Sequence, residues 1–215
     1  MQIRALSERI TRIRTEILVL GFFQDVRPVR GLAGEVDWIH NGVFSHLMKQ
    51  QKLQGQCGEA MLLASQTKLP TPKVLLIGLG TSLSYNDSVL QKVLLNIRAR
   101  LNDLNVKRFA METMGVEDRL MGWRQFFDVF VATFDRSAAT EDLDATLLTP
   151  SEEEARALAE QIRSAPFKEN AAGPYKKPFE PSATGPIEKA KESRNQEVAV
   201  GPGQQSSAAK GKSKT

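Results

Sequence analysis

Short runs of apolar residues alternate along the chain with stretches in which apolar residues recur every three or four positions. Residues 17–23, 60–64 and 74–79 are continuous apolar runs. Runs of this length are typical of strands that are covered on both faces of a sheet. We therefore predict three buried strands there, and two further strands over residues 107–111 and 143–148.

Helical periodicity occupies the segments between these runs. One apolar stripe combines Val36 with Leu47 and predicts a single helix, a second stripe covers residues 89–101, and a third covers residues 116–134. A strand over residues 126–134 is the alternative, because aromatic and β-branched residues are dense there. Trp38 and Trp123 lie on these stripes, so we place both in the core.

Polar residues mark where two of the helices begin. Asn86 or Asp87 can cap the second helix by accepting a hydrogen bond from an unpaired backbone N–H. A last helix begins near residue 151, where a hydroxyl residue precedes three glutamates that favour a helix N-terminus. Strands that alternate with helices predict an α/β layered domain with a mostly parallel or mixed sheet.

The composition changes after residue 165. Residues 1–165 contain 20 Lys/Arg and 20 Asp/Glu, whereas residues 166–215 contain 9 and 5, so the net charge of +4 belongs to the C-terminal part. That part has few large apolar residues and cannot bury enough surface to offset its chain entropy. We predict a globular domain over residues 1–165 and a disordered basic tail over residues 166–215, which could make weak contacts with nucleic acid.

Cysteine usage and the short apolar runs indicate a cytoplasmic protein that does not enter a membrane. Cys57 is the only cysteine, so no intramolecular disulfide can form, and we expect a buried, unreactive thiol. No apolar run is long enough to span a bilayer.

One glycine-rich loop is the best candidate for a ligand site. Gly78, Leu79, Gly80, Thr81 and Ser82 follow an apolar strand and precede a helix. Backbone N–H groups in such a loop can bind phosphate oxygens, and ligands of α/β sheets bind beyond the C-terminal ends of the strands. The site would include Gly21, at the end of a neighbouring strand. Leu83 replaces the third glycine of a dinucleotide fingerprint, so a tight strand-to-helix turn is the favoured alternative.

A second glycine-rich region offers a weaker candidate. Its glycines are Gly21, Gly31, Gly34 and Gly42, and with the nearby Asp25, Arg27 and Arg30 they could form a concave anion site. Ordinary turn glycines in a solvated loop are the favoured interpretation.

No residue pattern amounts to an active site or a metal site. His40 and His46 are the only histidines, their spacing does not fit one helical face, and no HExxH or Cys/His cluster is present. Asp37 and His40 are interpreted as a surface pair. The serines lack the GxSxG elbow. We therefore predict no catalytic residues, no metal and no cofactor.

The order of several segments resembles the N-terminal domain of the leucyl (cytosol) aminopeptidase family. These segments are the run at 17–23, residues 32–47, residues 55–63 and the run at 73–80. The resemblance covers roughly residues 1–150. It implies a three-layer α/β/α, macrodomain-like fold with a mixed sheet, in a domain that packs on a separate catalytic domain and contributes to hexamer assembly.

The resemblance carries over no catalytic residue. The family's metal ligands lie in NTDAEGR-type and DSGG-type motifs of its catalytic domain, and this sequence has neither motif. The first functional hypothesis is thus a non-catalytic interaction or regulatory domain that self-associates or binds a protein partner. The second is a macrodomain-like binder of ADP-ribose or a related nucleotide. A hydrolase whose site is not recognisable from the sequence is the third.

Overall fold

A six-stranded mixed sheet forms the centre of the domain. The computed structural model describes residues 1–134 and 143–164 of the chain. The strand order is β1-β6-β5-β2-β4-β3, and every neighbouring pair is parallel except β3 and β4. The strands are β1 Gln2–Leu6, β2 Ile17–Phe22, β3 Ala60–Ala64, β4 Lys73–Gly78, β5 Arg108–Glu112 and β6 Asp144–Leu148. The predicted α/β fold with a mixed sheet is confirmed.

In the described part of the chain, five α-helices cover the two faces of this sheet. They are α1 Gly31–Ile39, α2 Val43–Lys49, α3 Asp87–Asp103, α4 Trp123–Phe134 and α5 Glu152–Ser164. One core joins β-strand residues such as Val19 and Ile77 to α3, α4 and α5. The other joins Leu18 and Leu76, which point to the opposite face, to α1 and α2. The three layers expected from the resemblance are therefore present.

The continuous apolar runs predict burial correctly for the central strands but not for the edge strand β3. Every residue of β2 is buried, as predicted for a strand covered on both faces. β3 was predicted in the same way, but it is the edge strand, and Leu62 is 49% exposed. An apolar run shows that a strand can be buried, but its neighbours in the sheet decide whether it is.

The single helix predicted across Val36 and Leu47 is two helices. Asn41 and Gly42 have φ angles of 59° and 76°, a left-handed conformation that ends a right-handed helix. The carboxylate of Asp37 then accepts hydrogen bonds from the N–H of Phe44 at 2.7 Å and the hydroxyl of Ser45 at 2.5 Å. Asp37 and His40 are thus buried, and their prediction as a surface pair is wrong.

The prediction that both tryptophans lie in the core is wrong for Trp38. Trp38 lies two residues after the buried Val36, which places it about 200° around α1 from that residue, and it is 85% exposed. Trp123 is partly buried against the core that contains α3 and α4. Trp38 is therefore on the face of α1 opposite to the apolar stripe to which it was assigned.

The third predicted helix begins later than its periodicity indicated. Residues 114–121 form turns and bends, and α4 begins at Trp123. Gly115 has a φ of 80°, and a Cβ there would lie 2.5 Å from the ring of Tyr85, so the segment packs as a loop. The helical interpretation of residues 126–134 is nevertheless confirmed over the strand alternative.

The predicted helix starts are confirmed at two places. The side chain of Asn86 accepts a hydrogen bond from the N–H of Val89 and caps α3. The hydroxyl of Ser151 accepts from the N–H of Glu154 at 3.2 Å at the start of α5.

The described part of the chain contains no helix that is both long and apolar enough to cross a membrane. The proposed tail, residues 166–215, lies outside the described residues.

Candidate functional site

A cleft of about 640 Å³ opens at the carboxyl ends of the parallel strands. Its walls come from the ends of β2, β5 and β6, from the segment after β1 and from the start of α1. The sequence predicted a site at this edge of the sheet, since loops diverge there and leave a crevice. The lining residues are Ser7–Arg9, Gly21–Phe23, Val26, Val29–Leu32, Glu35, Leu79, Glu112, Thr113, Gly115, Glu117–Arg119 and Leu148–Pro150.

The N-terminus of α1 faces this cleft. Arg30 precedes the helix and provides no side-chain cap, so the first N–H groups are available to another acceptor. Gly31 has a φ of 60°, and a Cβ there would lie 2.5 Å from Oε2 of Glu117. Glycine therefore permits the loop of residues 113–119 to approach the start of the helix.

Glu112, the last residue of β5, lies in the floor of the cleft. Its Oε1 accepts a hydrogen bond of 2.6 Å from the N–H of Gly21 on β2. The pKa of Glu112 is raised from its ordinary 4.5 to about 8. Burial is the main cause, the hydrogen bond from Gly21 opposes it, and the nearby carboxylates of Glu117 and Asp118 add to the rise. Glu112 is consequently mostly protonated at neutral pH and can donate a hydrogen bond to a ligand.

Charged groups of both signs surround this neutral acid. Burial raises the pKa of Glu117 and of Asp118, and the guanidinium of Arg30 opposes the rise at Asp118. Arg9, Arg30 and Arg119 face five carboxyl groups in the lining, those of Glu8, Glu35, Glu112, Glu117 and Asp118. With Glu112 neutral, the remaining carboxylates and the arginines nearly balance.

The cleft has few groups that could act as a nucleophile with a base. The hydroxyl of Thr113 donates to the carbonyl of Leu148 at 3.0 Å, and that of Thr149 donates to the carbonyl of Ser151 at 2.9 Å. Among the described residues, none of those that line the cleft is a histidine, a lysine or a cysteine. Within residues 1–134 and 143–164, no three His, Cys, Asp or Glu side chains are arranged to hold a metal ion.

The structure brings two of the six predicted site residues into the cleft. Gly21 and Leu79 line it, and a Cβ on Gly21 would lie 2.8 Å from Cδ1 of Leu79. Gly78 packs elsewhere, since a Cβ there would lie 2.1 Å from the carbonyl oxygen of Gln56. Gly80 forms a turn beside Cys57 with a φ of 78°.

The two hydroxyl residues of the predicted loop bind protein groups. The hydroxyls of Thr81 and Ser84 are 2.5 Å apart. The N–H and hydroxyl of Ser82 both donate to the carboxylate of Asp25 at 2.8 Å, and these hydrogen bonds lower the pKa of Asp25. Neither residue is in the lining of the cleft.

Glu112 and Arg119 line the cleft but were not predicted as site residues, and Arg30 was named only in the less favoured candidate site. Arg30 and Gly31 belong to the second glycine-rich region, where an anion site had been the less favoured interpretation. One signal in the sequence could have indicated a loop at the site: Gly115 follows the strand predicted over residues 107–111, and a glycine in that position commonly marks a loop.

The prediction of a buried thiol at Cys57 is wrong. Cys57 is exposed and lies in a surface turn before β3.

Residues 19–121 match the model of the cytosol aminopeptidase family, N-terminal domain. The probable cytosol aminopeptidase of Alkaliphilus metalliredigens is 20% identical over 54% of this chain and 23% of its own length. That of Haemophilus ducreyi is 26% identical over 60% of this chain and 26% of its own length. The chain thus spans about a quarter of the length of these relatives.

Solved structures with the same fold include macrodomains and an aminopeptidase. The Oceanobacillus iheyensis macrodomain with ADP has a TM-score of 0.60 at 10% identity, over 74% of this chain and 89% of its own. The Trypanosoma brucei macrodomain in complex with ADP-ribose has a TM-score of 0.56 at 13% identity, over 75% and 69%. A tomato leucine aminopeptidase variant has a TM-score of 0.54 at 15% identity, over 76% and 35%.

The family match begins within β2 and ends just before α4, so it contains the start of α1, Glu112 and the loop after it. The resemblance noted in the sequence is confirmed by this match and by the fold. Residues 19–121 therefore match the N-terminal domain of the cytosol aminopeptidase family, and they lie within a macrodomain-like α/β/α sandwich.

Proposed function

We propose that this domain acts by binding, without catalysis, and that its cleft holds a nucleotide or a nucleotide-like ligand. The observation that carries the proposal is the cleft of about 640 Å³ at the carboxyl ends of the parallel strands. Its volume lies in the usual range for small-molecule sites. Macrodomains of the same fold have been solved with ADP and with ADP-ribose.

The start of α1 supplies the part of the cleft that suits a phosphate. The N-terminus of a helix carries partial positive charge and free N–H donors. Arg30 stands immediately before it and Arg119 lies in the facing loop. Apolar side chains, including those of Phe22, Val29 and Leu32, offer a surface for a base or a ribose.

The neighbouring carboxylates limit how tightly an anion can bind. Glu117 lies against Gly31 at the helix start, so a phosphate must either displace its side chain or bind while it is protonated. Glu112 is mostly neutral at pH 7 and adds no repulsion there. We therefore expect dissociation constants between about 10 µM and 1 mM, with tighter binding at pH 6 than at pH 8.

Calorimetry with ADP-ribose, ADP and AMP tests this proposal. Arg30→Ala removes a charged donor beside the helix start and is expected to weaken binding at least about tenfold. Arg163→Ala, in the last turn of α5, is the matched control and should bind as the wild type does, because Arg163 does not line the cleft. Absence of heat from all three ligands at millimolar concentration, or equal affinity in Arg30→Ala, would contradict the proposal.

We also expect no aminopeptidase activity from this chain. Such activity needs a metal-activated water to attack the amide at neutral pH, and the sequence lacks the motifs that carry the family's metal ligands. Incubation with leucine amide and added zinc, manganese or cobalt should give the same rate as heat-killed protein. Metal-dependent turnover well above that control would show the expectation to be wrong.

An interaction or regulatory role is the second candidate, and the exposed apolar side chains favour it. Trp38 is 85% exposed and Leu83 is 96% exposed. A single exposed apolar side chain is common on protein surfaces. Clusters of such side chains are typical of protein interfaces. Sedimentation of the full chain across a hundredfold concentration range tests whether it associates with itself.

A further inference from the structure

The free edge of β3 has an unusual composition for an exposed strand. Its sequence is Ala60-Met61-Leu62-Leu63-Ala64, which contains no charged residue and no proline. Proteins commonly protect an exposed edge with such residues, because unpaired backbone groups recruit other strands. The opposite edge, β1, carries Arg4, whose guanidinium pairs with Asp144 of β6.

The hydrogen bonds to β4 show which backbone groups of β3 point away from the sheet. The N–H of Ser65 donates to the carbonyl of Pro72 at 2.9 Å, and the N–H of Gly78 donates to the carbonyl of Glu59 at 2.7 Å. Antiparallel pairs alternate between bonded and non-bonded positions. Given the register of Leu62 opposite Leu75, the odd-numbered residues bond to β4, and Ala60, Leu62 and Ala64 present their N–H and C=O groups outward.

We propose that β3 pairs with β3 of a second copy, antiparallel about a two-fold axis at Leu62, so that the two sheets become continuous. In this register Leu62 lies opposite Leu62 of the copy, and Ala60 lies opposite Ala64 of the copy. Each of these bonded pairs exchanges two backbone hydrogen bonds, which satisfies every outward group of the strand. The proposal goes beyond the cleft and does not depend on its ligand.

The side chains fit a second copy because the strand reads almost the same in both directions. Alanine meets alanine at both ends, Met61 meets Leu63, and leucine meets leucine at the centre. The half-exposed Leu62 side chains become direct cross-strand neighbours and cover each other. Beyond the strand, Glu59 falls opposite Ser65, so the pairing places no like charges together.

Sedimentation and light scattering of the full chain test the association. We expect a reversible dimer whose dissociation constant rises at least about tenfold in Leu62→Lys, since two lysines would meet on the axis. Leu6→Lys is the matched control, because Leu6 ends β1 at the other edge and is 46% exposed. It should dimerise like the wild type.

A cysteine cross-link tests the register. In a Cys57→Ser background, Leu62→Cys brings two thiols to a bonded pair with Cα atoms about 5.5 Å apart, which suits a disulfide. Oxidation with diamide should link this variant quantitatively. Ala60→Cys should remain unlinked alone but link when mixed with Ala64→Cys. A monomer at millimolar concentration, a dimer that survives Leu62→Lys, or a dimer in which Leu62→Cys does not link would each overturn the proposal.

Discussion

Replacing Phe130 by alanine is expected to lower the free energy of unfolding by about 3–5 kcal/mol. Phe130 is fully buried in α4, in the core shared with α3 and the sheet. Its ring stacks on those of Phe126 and Phe134, at centroid distances of 6.2 Å and 4.5 Å. Alanine removes the apolar surface, these aromatic contacts and the volume, and a rigid helix-on-sheet core refills such a cavity only in part.

Chemical denaturation measures this effect. Val131→Ala, on the same helix but only partly buried, is the control, and we expect it to cost about 1 kcal/mol or less. A loss below about 1.5 kcal/mol for Phe130→Ala would mean that α4 packs more loosely than the ring contacts indicate.

Glu112→Gln is expected to change how stability depends on pH. The pKa of Glu112 is about 8 in the folded protein and ordinarily 4.5, so the folded state binds this proton more tightly than the unfolded state. The resulting stabilisation is fully present below about pH 4.5 and is lost as pH rises through about 8. Glutamine remains neutral and can still accept the hydrogen bond from Gly21. The stability of the variant should therefore not fall in this way as the pH rises.

The measurement is the difference in unfolding free energy between wild type and variant from about pH 5 to pH 9. We expect the variant to gain on the wild type by a few kcal/mol over this range, and at most by about 5 kcal/mol. Glu160→Gln, exposed on α5, should show no such trend. Glu117 and Asp118 titrate in both proteins and have raised pKa values as well, so taking the difference between variant and wild type reduces their contribution. A flat difference would show that Glu112 is charged in the cleft.

The positions of most strands and helices could be predicted because they depend on local patterns. β2 and β4 follow from runs of apolar residues that only a doubly covered strand can bury, and α3 follows from its stripe and its Asn86 cap. The break between α1 and α2 was also encoded locally, in Asn41 and Gly42. It was missed because the apolar spacing continued across the turn and outweighed the turn residues.

The sequence by itself determined the α/β class, the buried central strands, and the edge of the sheet at which the cleft opens. Tertiary structure alone decided that β3 is an edge, that Trp38 faces solvent, and that Glu112 sits beside Gly21. The reason is physical. Periodicity indicates which residues could be buried, whereas exposure depends on which distant segment packs against them. Glu112, for example, is hydrogen-bonded to Gly21, 91 residues away in the chain.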